Sequence, residues 1–130
     1  MKSEALFRGK TRVGDWYYGD LVKYNDKKMS ITYIGETRGN YEIYVNPETV
    51  GAFTGYRALN YEQIFDSDIL KTMTGHFLLV IDSGCGNWTF TDIQDGEVCR
   101  WVNAEILSSC RIIDNIHDNP DFVETYRRKF

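Results

Sequence analysis

Apolar and polar positions alternate with a period of two through much of the first half of the chain. In "MSITYIG", residues 29–35, Ser30 and Thr32 fall on one face and Ile31 and Tyr33 on the other. "YEIYV", residues 41–45, alternates again. That period is the mark of a half-buried strand. "WYYGDLVKY", residues 16–24, is rich in aromatic and β-branched side chains, which strands favour. Gly19 inside it marks either a bulge or a close approach of another backbone. A short apolar stretch, "EALFRGK", precedes it, and "VGD", "NDKK" and "ETRGN" supply turns. The pattern predicts a meander of four strands over residues 1–46.

The second half, residues 71–118, repeats the style. "SDILKTM" leads into "GHFLLVID", whose unbroken apolar run suits a strand buried on both faces. "SGCGN" is a loop. "WTFTDI" and "EVCRWVN" flank "QDG", and Asp95-Gly96 predicts a hairpin with a type I′ turn, which needs positive φ at both central positions. Alternation in "CRWVNA" puts Cys99 and Trp101 on one face and assigns Cys99 to the core. "SCRIIDNI" is a last strand. Residues 119–130 differ in kind. Asn119 is placed as N-cap, Pro120 at the first helical position, Asp121 and Glu124 early, and Arg127, Arg128 and Lys129 late. That order suits capping and the helix dipole, and predicts a helix of two to three turns with Phe122, Val123 and Tyr126 on its apolar side.

Residues 47–70 form a connector. Pro47 fixes one φ and extends Asn46. Gly51 and Gly55 bracket "AFT", as for a short strand followed by a sharp turn. Ile64, Phe65 and Ile69 are expected inward, with Asp66 and Asp68 at the rim. Thr49, Gly51, Thr54, Gly55 and Asp68 are read as a structural corner. The glycines answer to backbone geometry, and the hydroxyls and the Asp68 carboxylate bond nearby backbone.

The chain has 130 residues, the size of one domain, and 42% are hydrophobic. The aromatic content is far from that of a disordered chain. Formal net charge is −4, and lysines and arginines are scattered apart from "RRKF". Nucleic-acid binders usually carry a basic stripe, so this balance argues against nucleic acid without excluding it. The longest apolar run is "FLLVI", well short of the roughly 20 residues of a membrane helix. The N-terminal residues lack the apolar region of a signal peptide. A cytoplasmic protein without a membrane partner is expected. Cys85, Cys99 and Cys110 form no close pair, so neither a disulfide framework nor a zinc site is predicted.

Candidate chemistry is sparse. Glu48, Glu62, Asp66 and Asp68 could gather round a metal or act in acid–base work, or be solvated turn residues, the reading preferred here. His76 and His117 fit packing or capping roles. Cys85, in a glycine loop, is the one cysteine placed for reactivity. No catalytic set emerges, so no enzyme and no cofactor are predicted. Arg8, Trp16, Tyr17 and Tyr18 combine residue types enriched in interface hot spots and in single-strand binding, set against ordinary strand packing.

Four stretches together resemble a known family. "LFRGK" with "DWYYGDLV", "PETVGAFTG", "IFDSDIL" and "IIDNIHDNPDFV" are similar to the motifs of the YopX-like family of bacteriophage, prophage and mobile-element proteins. The family's patterns run F-R-G-K, P-E-T-V-G-Q-Y-T-G, I-Y-E-G-D-I-V and I-G-N-I-Y-D-N-P-E-L-L. Two glycines differ. The family's Asn-Gly turn is Asn60-Tyr61 here, and its Glu-Gly-Asp is Asp66-Ser67-Asp68. His117 stands where the family often has an aromatic residue. The resemblance implies a mainly β, barrel-like fold built of two strand-rich halves with a short C-terminal helix, as one domain over residues 1–130. It implies no catalytic residues. The function expected is that of a non-enzymatic accessory protein of a phage or mobile element, acting by protein binding and self-association as a homo-oligomer. The alternative is a nucleic-acid-binding module using an aromatic β face.

Overall fold

The structure, a computed structural model, describes residues 5–35, 37–82 and 87–128, with side chains to residue 125. It is mainly β, with two antiparallel sheets and only small helices. The chain divides into two compact units, Met1–Phe53 and Thr54–Phe130.

The first unit is the predicted meander. Strands β1 (Phe7–Lys10), β2 (Trp16–Asn25), β3 (Lys28–Ile34) and β4 (Asn40–Val45) pair in sequence, and the start of β5 (Gly51–Arg57) adds beyond β1. Register follows the alternation. Ile31 faces Leu21 on one side and Ile43 on the other, and is fully buried. Gly19 takes the close approach and not the bulge. A Cβ there would collide with the Thr32 carbonyl oxygen. The bulge falls later in β2, between Lys23 and Asn25, beside the 25–28 turn. The sheet coils until the end of β4 reaches β1. Asn46 N donates to the Lys10 carbonyl at 2.8 Å, and the Val45 side chain occupies the space above Gly9.

The coil stops short of closure, which corrects the barrel-like expectation. Contact between β4 and β1 is confined to one end, no ladder joins them, and both sheets remain open.

In the second unit the end of β5 borders β6 (Gln63–Phe65). A four-stranded sheet then runs β10 (Arg111–Asn115), β7 (Asp68–Lys71), β8 (Phe77–Asp82) and β9 (Trp88–Asp92) in spatial order. Its core gathers Ala58, Ile64, Leu70, Leu78, Val80, Phe90, Leu107 and Cys110. Burying this apolar surface is the main source of its stability.

Several local expectations change. The run in β8 is buried on one face only: Leu78 and Val80 are inside, while Ile81 is exposed. Gly55 does not end a strand. It sits within β5 at φ +87°, and the strand continues to Arg57. Asp68 is not at the rim but 1% exposed, because the turn at Asp66 and Ser67 brings the chain straight back into β7. The Asp95-Gly96 turn forms, yet only Gly96 has positive φ, so it is not type I′. Asp92 takes both ends of that loop, accepting from Gly96 N at 2.8 Å and donating its own N–H to Glu97 O. The return arm then makes a single bridge, Val98 to Thr91, and no strand. Cys99 is therefore half-buried at the margin of the core, and Trp101 is exposed.

A helical turn, α1 (Ala104–Leu107), was not predicted. Asn103 caps it, its side-chain oxygen accepting from Ile106 N at 2.9 Å. The C-terminal helix α2 (Phe122–Arg128) begins later than the Asn119 cap implied. The Asn119 amide donates instead to Asp114 Oδ2. The Phe122 ring lies 5.9 Å from that of Phe77. The Tyr126, Arg127, Arg128 and Lys129 side chains lie outside the described ones, as does the 83–86 loop with Cys85.

Candidate binding edge

Strand β4 is the outer strand of the first unit's sheet. Gly35 N donates to Gly39 O at 3.0 Å, so residues 35 and 39 form a hydrogen-bonded pair. Alternation along an antiparallel ladder then makes Tyr33–Tyr41 and Ile31–Ile43 hydrogen-bonded pairs too. The N–H and C=O groups of Glu42 and Tyr44 consequently point away from β3. Among the described residues they meet no partner. Asn46, the next outward residue, is already held by Lys10.

Side chains flank this edge on both faces. On one, the Tyr24 hydroxyl donates to the Glu42 carboxylate at 2.8 and 3.0 Å. The Lys28 ammonium sits 5.1 Å from the Tyr24 ring centre and 5.0 Å from that of Tyr44. Tyr44 is 55% exposed. The bond to Glu42, with the carboxylate charge behind it, raises the Tyr24 pKa above the ordinary phenol value. On the other face, Tyr17, Tyr33 and Tyr41 form a row with ring centres 5.1 and 5.7 Å apart. A shallow groove of about 300 Å³ runs between Tyr44, Met29, Lys27, Lys28 and Arg12.

None of Tyr24, Lys28, Glu42 and Tyr44 was singled out in the sequence. Tyr24 is the extra residue of the Lys23–Asn25 bulge, which sets it beside Lys28, and strand pairing brings Tyr44 opposite Ser30; neither follows from the local pattern of the sequence.

The predicted set of Arg8, Trp16, Tyr17 and Tyr18 does not form one patch. Strand alternation puts Tyr17 on the opposite face from Trp16 and Tyr18. Arg8 is 5% exposed, and its guanidinium lies 4.6 Å over the Trp16 ring, where Lys10 also approaches. Tyr18 pairs with Arg8 across the ladder and is exposed.

The corner residues are occupied by backbone. Thr49 Oγ1 accepts from Lys10 N at 2.8 Å and donates to Asn46 O at 2.7 Å. Gly51 is buried opposite Arg8. Thr54 Oγ1 donates to Ile64 O and accepts from Tyr56 N. Asp68 Oδ2 accepts from Phe65 N at 2.8 Å.

Residues 6–124 match the family described as YopX protein. The chain belongs to that family. A comparison with curated proteins gives no match.

The family's two missing glycines can now be located. Asn60 and Tyr61 have φ of +63° and +64°, and Ser67 has +71°. Both positions take left-handed backbone here without glycine. Other chemistry stays dispersed. Among the described residues no group of three His, Cys, Asp or Glu side chains could hold a metal. Glu48 and Glu62 are exposed. His117 N donates to Asn115 Oδ1, and His76 Nδ1 pairs with Asp92 at 3.0 Å. Burial raises the pKa of both Cys99 and Cys110, with the Asp92 charge adding at Cys99. No described helix is long and apolar enough to cross a membrane.

Proposed function

We propose that this YopX-family chain is a non-enzymatic, cytoplasmic accessory protein of a phage or mobile element, acting by protein binding and self-association through the β4 edge. The supporting observation is the outward pair of backbone groups at Glu42 and Tyr44, open among the described residues and bordered by tyrosines. An exposed strand edge is a template for another strand. Tyrosines are common anchors at interfaces. In an antiparallel pairing of two copies centred on Ile43, Glu42 of each faces Tyr44 of the other. A slip of two residues that moved the centre to residue 42 would oppose Glu42 to itself, a repulsive arrangement. Charge thus selects the register.

The test is mass measurement by light scattering on the wild type and on Tyr44→Pro. Proline at residue 44 deletes an outward N–H and leaves the ladder to β3 intact. The wild type should be a dimer or larger, and the folded variant a monomer. A monomeric wild type at high concentration, with partner capture from induced cells equal for both proteins, would sink the reading.

A second reading is single-stranded nucleic acid on the same face. Arg12, Lys27 and Lys28 beside Tyr44 favour it, and Glu42 among them opposes it. Lys28→Gln should weaken oligonucleotide binding if that reading holds.

A further inference from the structure

Two adjoining grooves in the second unit share Thr72, Met73 and Ser109. The larger, about 410 Å³, is walled by His76, Trp101 and Ile106. The smaller, about 270 Å³, is walled by Lys71 and Arg111. Each compartment has an unusual feature.

In the smaller one, Lys71 and Arg111 are directly opposite across the β7–β10 ladder. Like charges so placed repel. Among the described residues no carboxylate forms an ion pair with either, and Lys71 has only the Phe77 ring at 5.7 Å. An anion between them would turn the repulsion into a clamp, with the guanidinium supplying a planar fork suited to phosphate oxygens.

In the larger one, Trp101 is 47% and Met73 83% exposed, so apolar surface is left to water beside the cations. The His76 ring lies 5.8 Å from that of Trp101. Asp92 holds His76 through Nδ1, which leaves Nε2 as the remaining polar atom of the ring. The wall is fixed internally: Thr72 Oγ1 accepts from His76 N at 2.9 Å, and Ser109 Oγ donates to Ile106 O at 2.7 Å. Those hydroxyls hold the groove and are not counted as ligand contacts. The volume is in the range that takes small molecules.

The geometry points to a site for a nucleoside 5′-phosphate, the phosphate clamped by Lys71 and Arg111 and the base laid on Trp101 beside His76. Bases stack on aromatic side chains without sequence preference, so the chemistry fits a free 5′-nucleotide or the 5′-phosphorylated end of a single strand. The inference stands on observations separate from the β4 edge, and its failure leaves that reading untouched.

Calorimetric titration of the full chain with 5′-AMP, 5′-UMP, adenosine, inorganic phosphate and a 5′-phosphorylated oligothymidylate tests it. A mononucleotide should bind saturably with Kd below about 1 mM. Lys71→Gln, Arg111→Gln and Trp101→Ala should each raise Kd about 10-fold, as expected for losing a charge-assisted or stacking contact, and Lys28→Gln in the first unit should not. Removing Lys71 or Arg111 relieves the cross-strand repulsion, so the melting temperature of those variants should hold or rise. Tighter binding of the oligonucleotide identifies a strand end as the ligand, and tighter binding of mononucleotides a free nucleotide. Absence of saturable binding by every phosphorylated probe overturns the proposal. So does binding that the three variants leave unchanged, or phosphate alone binding as well as the nucleotides.

Discussion

Tyr61 and Ser67 carry left-handed backbone with side chains that disfavour it. A Cβ in that region crowds the following carbonyl, at about 1–2 kcal/mol per residue, and glycine escapes this. Tyr61 is exposed and Ser67 lies in a two-residue turn. Tyr61→Gly and Ser67→Gly should therefore each stabilise the chain by about 1 kcal/mol, less what glycine adds to the entropy of the unfolded state. Chemical denaturation measures this, and a loss of stability in both variants would contradict it. Asp68 behaves oppositely. Its carboxylate is buried and accepts the Phe65 amide. Asp68→Ala should lower stability by about 1–3 kcal/mol, the usual range for orphaning a buried polar group. If Asp68→Ala melts like the wild type yet loses partner capture, the corner is a binding site. Sequence pattern placed Asp68 at the rim, and the structure buries it. Residue type alone cannot tell a solvated turn aspartate from one folded inward over its own turn.

Among elements, two strand glycines separate sterics from strain. Gly19 lies under the Thr32 carbonyl, so Gly19→Ala must displace β2 from β3. Gly55 has open space around its missing Cβ and only positive φ against it. Gly55→Ala should cost about 1 kcal/mol, and Gly19→Ala should cost more. The reverse order in thermal melts would refute this account. The short helix α1 rests on its cap. Asn103→Ala should destabilise by about 1 kcal/mol, and an unchanged melt would mean that the packing of Leu107 alone holds the turn. The strands of the first unit were legible because β3 and β4 carry period-two patterning and β2 is rich in aromatic and β-branched residues. The 93–103 segment was not. Its alternation is short, and Asp92 closes the loop through its own backbone and side chain, so the return arm needs no ladder.

For the whole molecule, the far-ultraviolet circular dichroism should be strand-dominated, and denatured protein should titrate three thiols per chain. Fewer than three would reveal a disulfide or a modification. The sequence by itself determined the β class, the four-strand meander, the presence of a C-terminal helix and, through its motifs, the YopX family. These follow from local periodicity, turn residues and fixed spacings, which need no knowledge of distant contacts. Only tertiary structure decided that the first sheet coils without closing, since that depends on where Asn46 meets Lys10. It alone gathered Tyr24, Lys28, Glu42 and Tyr44 at one edge, and set Lys71 opposite Arg111. The partners across strands, Tyr24 with Glu42, Lys28 with Tyr44 and Lys71 with Arg111, are far apart in sequence, and strand register, summed over several turns and bulges, fixes which side chains face one another. A single-residue shift at the Lys23–Asn25 bulge reassigns every face beyond it, and no local pattern carries that information.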